Sequence, residues 1–113
     1  MGASLIIATV WTLWHAPLWS INSPQSEISF LIFSGHVFCY SILMSILFIE
    51  SKGSLIPVII FHFFVNISSG YVSLLGSHSI SDFYRLSLPY YVGITAVIIG
   101  LYEFTRKKVC TLT

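Results

Sequence analysis

Apolar residues run in long blocks along this chain, and polar residues gather in the gaps between them. A helix crossing the hydrocarbon slab of a membrane needs about 20 mostly apolar residues, because the slab is about 30 Å thick and each residue rises about 1.5 Å. Four blocks approach that length: about 3–19, 28–49, 55–75 and 88–104. The gaps hold the breakers. Ile21 to Glu27 is polar and contains Pro24, Glu50 to Ser54 is a short charged turn, and Gly76 to Ser87 carries Asp82 and Arg85. Strands are excluded, since an open sheet leaves backbone groups unpaired in lipid and four strands cannot close a barrel. The pattern therefore predicts an all-α fold: a polytopic membrane protein, a bundle of about four transmembrane helices in one unit over 1–113.

Composition strengthens this reading and removes others. Of 113 residues, 56% are hydrophobic and 8% charged, whereas a soluble domain carries about a quarter charged residues. The net charge of +1 supplies no basic stripe, so nucleic acid is excluded as a partner and the lipid bilayer takes its place. Two cysteines make no disulfide framework, and a mean hydropathy of +0.89 excludes disorder. Lys52 and the run Arg106, Lys107, Lys108 fall on one side of the predicted bundle and Arg85 on the other, which predicts an integral membrane, multi-pass protein with both termini cytoplasmic. Trp19, Tyr71, Tyr84, Tyr90, Tyr91 and Tyr102 lie near predicted span ends, where such rings favour the headgroup zone. The N-terminus has no basic region of a signal peptide, and Ile6 stands where a myristoylation signal needs a hydroxyl, so the first block is read as a retained helix without a lipid anchor.

Inside the blocks, each polar side chain must find a partner, so each marks a site or a helix-to-helix contact. His62 and Asn66 are four apart and share one helix face. An imidazole donates, accepts or binds metal, and a carboxamide one turn away can donate to the same oxygen. The same pair could instead bond neighbouring helices. His15 shares a face with Trp11, and Pro17 limits its helix; read alone it is an interfacial anchor. His36, beside Gly35 and Cys39, reads as a core histidine with satisfied hydrogen bonds, His78 as a solvated loop residue, and Cys110 as a reduced thiol. Gly93, Ala96 and Gly100 share a face that predicts a packing groove. Asn66-Ile67-Ser68 matches a glycosylation pattern but lies within an apolar block.

Two segments resemble a known family. Trp14-His15-Ala16-Pro17-Leu18-Trp19, with Trp11 four residues before the histidine, is similar to the second motif of the CPBP intramembrane proteases, also called the Abi or CAAX prenyl protease type. Gly53-Ser54-Leu55 leading to His62-Phe63-Phe64-Val65-Asn66 is similar to the third, His-x-x-x-Asn. The resemblance covers about residues 5–75 and keeps the family's order, with one whole block between the histidines. It implies an intramembrane metallo-endopeptidase that cleaves prenylated proteins or processes bacteriocin-type peptides and confers immunity. It further implies catalytic roles for His15, His62 and Asn66, with His15 and His62 as ligands of a zinc ion (Zn2+) or as oxyanion donors.

The family's first motif, Glu-Glu-x-x-x-Arg, is missing. No Glu precedes His15, and Glu27, Glu50 and Glu103 are single. A further irregularity is depth: on the predicted spans His15 and His62 lie about 10 Å apart along the membrane normal. Both features lead to the expectation of a catalytically incomplete, C-terminal portion of a larger bundle. The alternative is a non-enzymatic small membrane protein that binds a partner by helix packing. A drug-efflux subunit would need a carboxylate deep in a span, which the blocks lack, and a bis-histidine haem carrier usually needs more histidines per helix.

Overall fold

A computed structural model describes residues 2–74 and 79–112. Four helices account for most of them: α1 Gly2–His15, α2 Phe30–Glu50, α3 Ile56–Leu74 and α4 Ile80–Leu112. Two 3-10 turns, Ala16–Ser20 and Pro24–Glu27, join α1 to α2. His78 lies outside the described residues, as do Leu75, Gly76 and the side chain of Cys110.

α2 is the central element, packed by all three other helices. α1 runs antiparallel to it: the Ser41 hydroxyl donates to the Ser4 carbonyl at 2.8 Å, and the His15 ring lies 5.4 Å from Phe33 at the other end. This needs two backbones close together, and α1 presents Ser4, Ala8 and Thr12 there, with Ala8 fully enclosed. α4 runs parallel to α2, since Tyr84 meets Phe33 and Tyr91 meets Tyr40. At the crossing, a Cβ on Gly35 would lie 3.0 Å from Leu88 Cδ1, so the glycine admits the leucine. α3 touches α2 through Phe61 and Tyr40 and faces largely outward, with Ile56, Ile59, Phe63 and Phe64 more than half exposed.

The α2–α3 turn follows from its sequence. Lys52 N–H donates to Ile49 O at 3.0 Å and Gly53 N–H to Phe48 O at 2.8 Å, the paired bonds that close a helix C-terminus. Lys52 and Gly53 both have positive φ, 54° and 86°. Only glycine holds that geometry without strain. Gly53→Ala is expected to cost about 1 kcal/mol and Lys52→Gly to gain a comparable amount. Thermal unfolding in micelles followed by circular dichroism checks both, and equal shifts of the two variants would contradict the assignment.

Two helices are long and apolar enough to cross a membrane among the described residues, α2 and residues Ile80–Lys108 of α4; α3 contributes a shorter apolar stretch, Ile56–Ser68. The bounds of the first and last helices differ from the sequence expectation, α4 running on to Leu112 as well. The first block is α-helical only to His15, because Pro17 has no N–H to give to the carbonyl four residues back and the chain tightens into a 3-10 turn from Ala16. The expected loop before 88 is helical from Ile80: Ser79 Oγ accepts from the Asp82 N–H at 3.2 Å and donates to its carboxylate at 3.3 Å, a cap that starts the helix early. Pro89, expected near a helix start, therefore sits inside α4. The Gly93, Ala96 and Gly100 face is exposed, with no neighbour where a Cβ would stand on either glycine, so it is not the packing groove of this fold.

Candidate active site

His15 is the last residue of α1, and its ring turns back so that Nδ1 lies 2.8 Å from the Trp11 carbonyl oxygen. A carbonyl oxygen only accepts, so Nδ1 carries the proton and the neutral ring leaves Nε2 with a lone pair. The chain then folds over this helix end as a cap. Trp19 Nε1 donates to Ile28 O at 2.7 Å, Ser23 Oγ to Leu18 O at 2.8 Å, and Ser26 Oγ to Ser23 O at 2.7 Å. The Ile28 N–H closes the second turn on Gln25 O at 3.0 Å. Ile28, Phe33 and Val37 form the core beneath, with Trp11, Trp19 and Tyr84 packed against it.

His62 and Asn66 come from α3. The His62 ring stacks on Trp11 at 5.3 Å and 21°. α1 and α3 both run antiparallel to α2 and hence parallel to each other, so His15 and Asn66, each one turn beyond this stacked pair, share one depth. The 10 Å offset expected between His15 and His62 is thus reduced to about one helical turn, roughly 6 Å: α1 stops at His15, and its stagger sets Trp11 level with His62.

The structure brings His15, His62 and Asn66 to one cavity of about 110 Å³. Gln25 from the cap and the rings of Tyr40 and Tyr84 also line it, among Trp11, Phe33 and Phe61. His62 and Asn66 border a second, wider and mostly apolar groove of about 650 Å³ between α2 and α3, with Met44, Ile59 and Phe63. These two side chains thus stand between an inner cavity holding polar groups and an outer apolar surface.

Among the described residues, the remaining histidine and the glutamates lie apart from the cavity lining. His36 is fully enclosed, its Nδ1 3.0 Å from Ile32 O and its Nε2 accepting from Ser87 Oγ at 3.0 Å, with Tyr84 and Tyr91 edge-on around it. It is the core histidine the sequence suggested. Glu27, Glu50 and Glu103 are exposed, and none lines the cavity. Zinc needs at least three protein ligands at a catalytic site. Among the described residues no group of three or more His, Cys, Asp or Glu could hold a metal, so His15 and His62 do not by themselves make a zinc site.

Sequence reasoning missed Gln25 and Tyr84. Gln25 sits in a polar gap that reads as a linker, and only the hydroxyl-rich pattern Ser23-Pro24-Gln25-Ser26 hinted at a folded turn. Tyr84 was hidden by the expected loop, although Ser79-Ile80-Ser81-Asp82 carries the spacing of a capping box.

No curated protein and no solved structure matches the chain. A family model described as type II CAAX prenyl endopeptidase Rce1-like matches residues 1–68, which takes in α1, the cap, α2 and α3 through Asn66. That stretch carries all three residues of the candidate site, and the chain therefore belongs to the Rce1-like family of type II CAAX prenyl endopeptidases.

Proposed function

We propose that this chain is a multi-pass intramembrane protein, both termini on the cytoplasmic face, that provides the histidine–asparagine part of an endopeptidase site acting on prenylated proteins or membrane-inserted peptides. The observation that carries the reading is the meeting of His15, His62 and Asn66 at one cavity. His15 takes the proton of the attacking water at Nε2, since its Nδ1–H is committed to Trp11 O. As the water oxygen bonds to the carbonyl carbon, the carbonyl electron pair moves to oxygen, where Asn66 and His62 donate hydrogen bonds. Collapse of that intermediate breaks the C–N bond, and the leaving amine takes the proton from His15.

A carboxylate to hold and polarise the attacking water for His15 is the part of this machinery that the chain does not supply, because the sequence has no Glu-Glu pair and no glutamate lines the cavity. Activity therefore needs a Glu-Glu-x-x-x-Arg helix supplied alongside. The full chain reconstituted in liposomes with such a helix is expected to cleave an S-farnesylated Cys-aliphatic-aliphatic-Met peptide, and to lose cleavage when the first glutamate of the added helix becomes Gln. No cleavage in either mixture would overturn the reading. A cellular phenotype that survives replacement of both His62 and Asn66 by Leu would favour a partner-binding membrane protein instead.

A further inference from the structure

Gln25 is the polar side chain that the connecting segment, rather than a membrane helix, sends to the cavity. Three features of its setting point to a ligand. First, its backbone is fixed. Pro24 holds the start of its turn, its carbonyl accepts from Ile28 N–H, and the Ser23, Ser26 and Trp19 side chains tie the segment to itself and to α2's approach. A side chain on such a base loses little further backbone freedom when it binds.

Second, apolar groups make up part of its surroundings. Trp11, Phe33, Val37 and Phe61 line the same cavity, and a carboxamide among such groups gains most from a partner that offers both a donor and an acceptor. A peptide unit does so in the same spacing, with one N–H and one C=O. Third, there is room. The volume of about 110 Å³ is several times the roughly 10–15 Å³ that one water requires on this kind of measure. A segment of extended main chain can lie between the cap and the His62–Asn66 face.

We propose that Gln25 is a substrate-binding residue of this cavity, its carboxamide pairing with one backbone amide of an extended peptide held against His15, His62 and Asn66. The proposal rests on the peptidase reading above. It assigns to the cap between α1 and α2 the role of gripping main chain, while the α3 residues face the reacting carbonyl. Gln25 thereby sets which peptide register enters, without regard to side-chain identity at the gripped residue.

The test is binding of the S-farnesylated tetrapeptide to the full chain in lipid nanodiscs, by calorimetry. Beside it are run analogues in which each backbone N–H in turn is replaced by an ester oxygen. Wild-type protein is expected to bind one ester analogue about tenfold more weakly than the amide, the loss of a single hydrogen bond of about 1 kcal/mol together with its unpaired partner. In Gln25→Leu the amide should weaken by a similar factor and the discrimination against that ester should vanish. Gln25→Asn, one methylene shorter, should retain less than half of the discrimination on a logarithmic scale, with an unchanged circular dichroism spectrum in both variants as the folding control. If Gln25→Leu binds and discriminates as wild type does, Gln25 has no such role while the peptidase reading stands. If wild type binds none of the peptides, that reading falls and this proposal with it.

Discussion

Alanine in place of His15 is expected to lower peptide cleavage by the complemented protein about 10²- to 10⁴-fold, the range a positioned general base contributes. The tautomer is what makes the expectation specific. Because Nδ1 is bound to Trp11 O at 2.8 Å, the neutral ring has only Nε2 to offer, as an acceptor. A residue that accepts a proton from water can be replaced in part by a soluble base. Added imidazole should therefore recover a measurable share of the activity of His15→Ala, and no share of that of Asn66→Ala, where a fixed donor worth about 10²- to 10³-fold is lost. Steady-state rates with and without imidazole decide it. Full activity of His15→Ala would remove His15 from the chemistry, and equal recovery of both variants would show that imidazole acts elsewhere.

The largest loss of stability is expected from His36→Ala, at about 2–4 kcal/mol. His36 is fully enclosed between α2 and α4, and both ring nitrogens are engaged. Truncation empties a volume ringed by Tyr40, Tyr84 and Tyr91, whose ring centres lie 5.8, 4.8 and 5.3 Å away, and it leaves the Ser87 hydroxyl only its long bond to Tyr84 O at 3.4 Å. Magnitudes separate the two contributions. Interhelical hydrogen bonds in membrane proteins average about 0.6 kcal/mol, whereas a large-to-small change in a packed interior costs several times more. A double-mutant cycle with Ser87→Ala, read by unfolding in mixed micelles, should therefore return a coupling below about 1.7 kcal/mol, with most of the loss in the cavity. A coupling equal to the whole loss would mean that the hydrogen bond, not packing, holds α4 to α2.

Much of the site could be read from the residues, and less of the packing. His62 and Asn66 share a face by simple periodicity, whereas His15, which read alone is an interfacial anchor, joins them only through the resemblance of its segment to the second CPBP motif. The meeting of all three at one cavity could not be read there, because it depends on the stagger of α1, which packs on α2 through Ser4, Ala8 and Thr12. Small residues are legible, but which small face meets a neighbour is not: Gly93, Ala96 and Gly100 show the same spacing logic and stand exposed. The start of α4 was obscured for a different reason. Asp82 and Arg85 look like loop residues by polarity, yet both are exposed on a helix whose other side carries Tyr84, Ser87 and Leu88 inward. Gln25 was out of reach because a cap held by hydroxyl-to-carbonyl bonds has no periodicity to read.

The continuous α4 rod has a consequence for where water and lipid meet. Residues 86–105, between Arg85 and Arg106, measure about 30 Å along the helix, the thickness of the hydrocarbon layer. Two guanidinium groups seeking the aqueous borders would anchor the rod at that height. Tyr84, the immediate neighbour of Arg85, lines the cavity, so with α4 spanning a bilayer in this way the cavity would lie just beneath the border that Arg85 marks rather than at the bilayer midplane. At that level a chain whose greasy end is dissolved among acyl tails can still present its peptide bonds to a molecule of water.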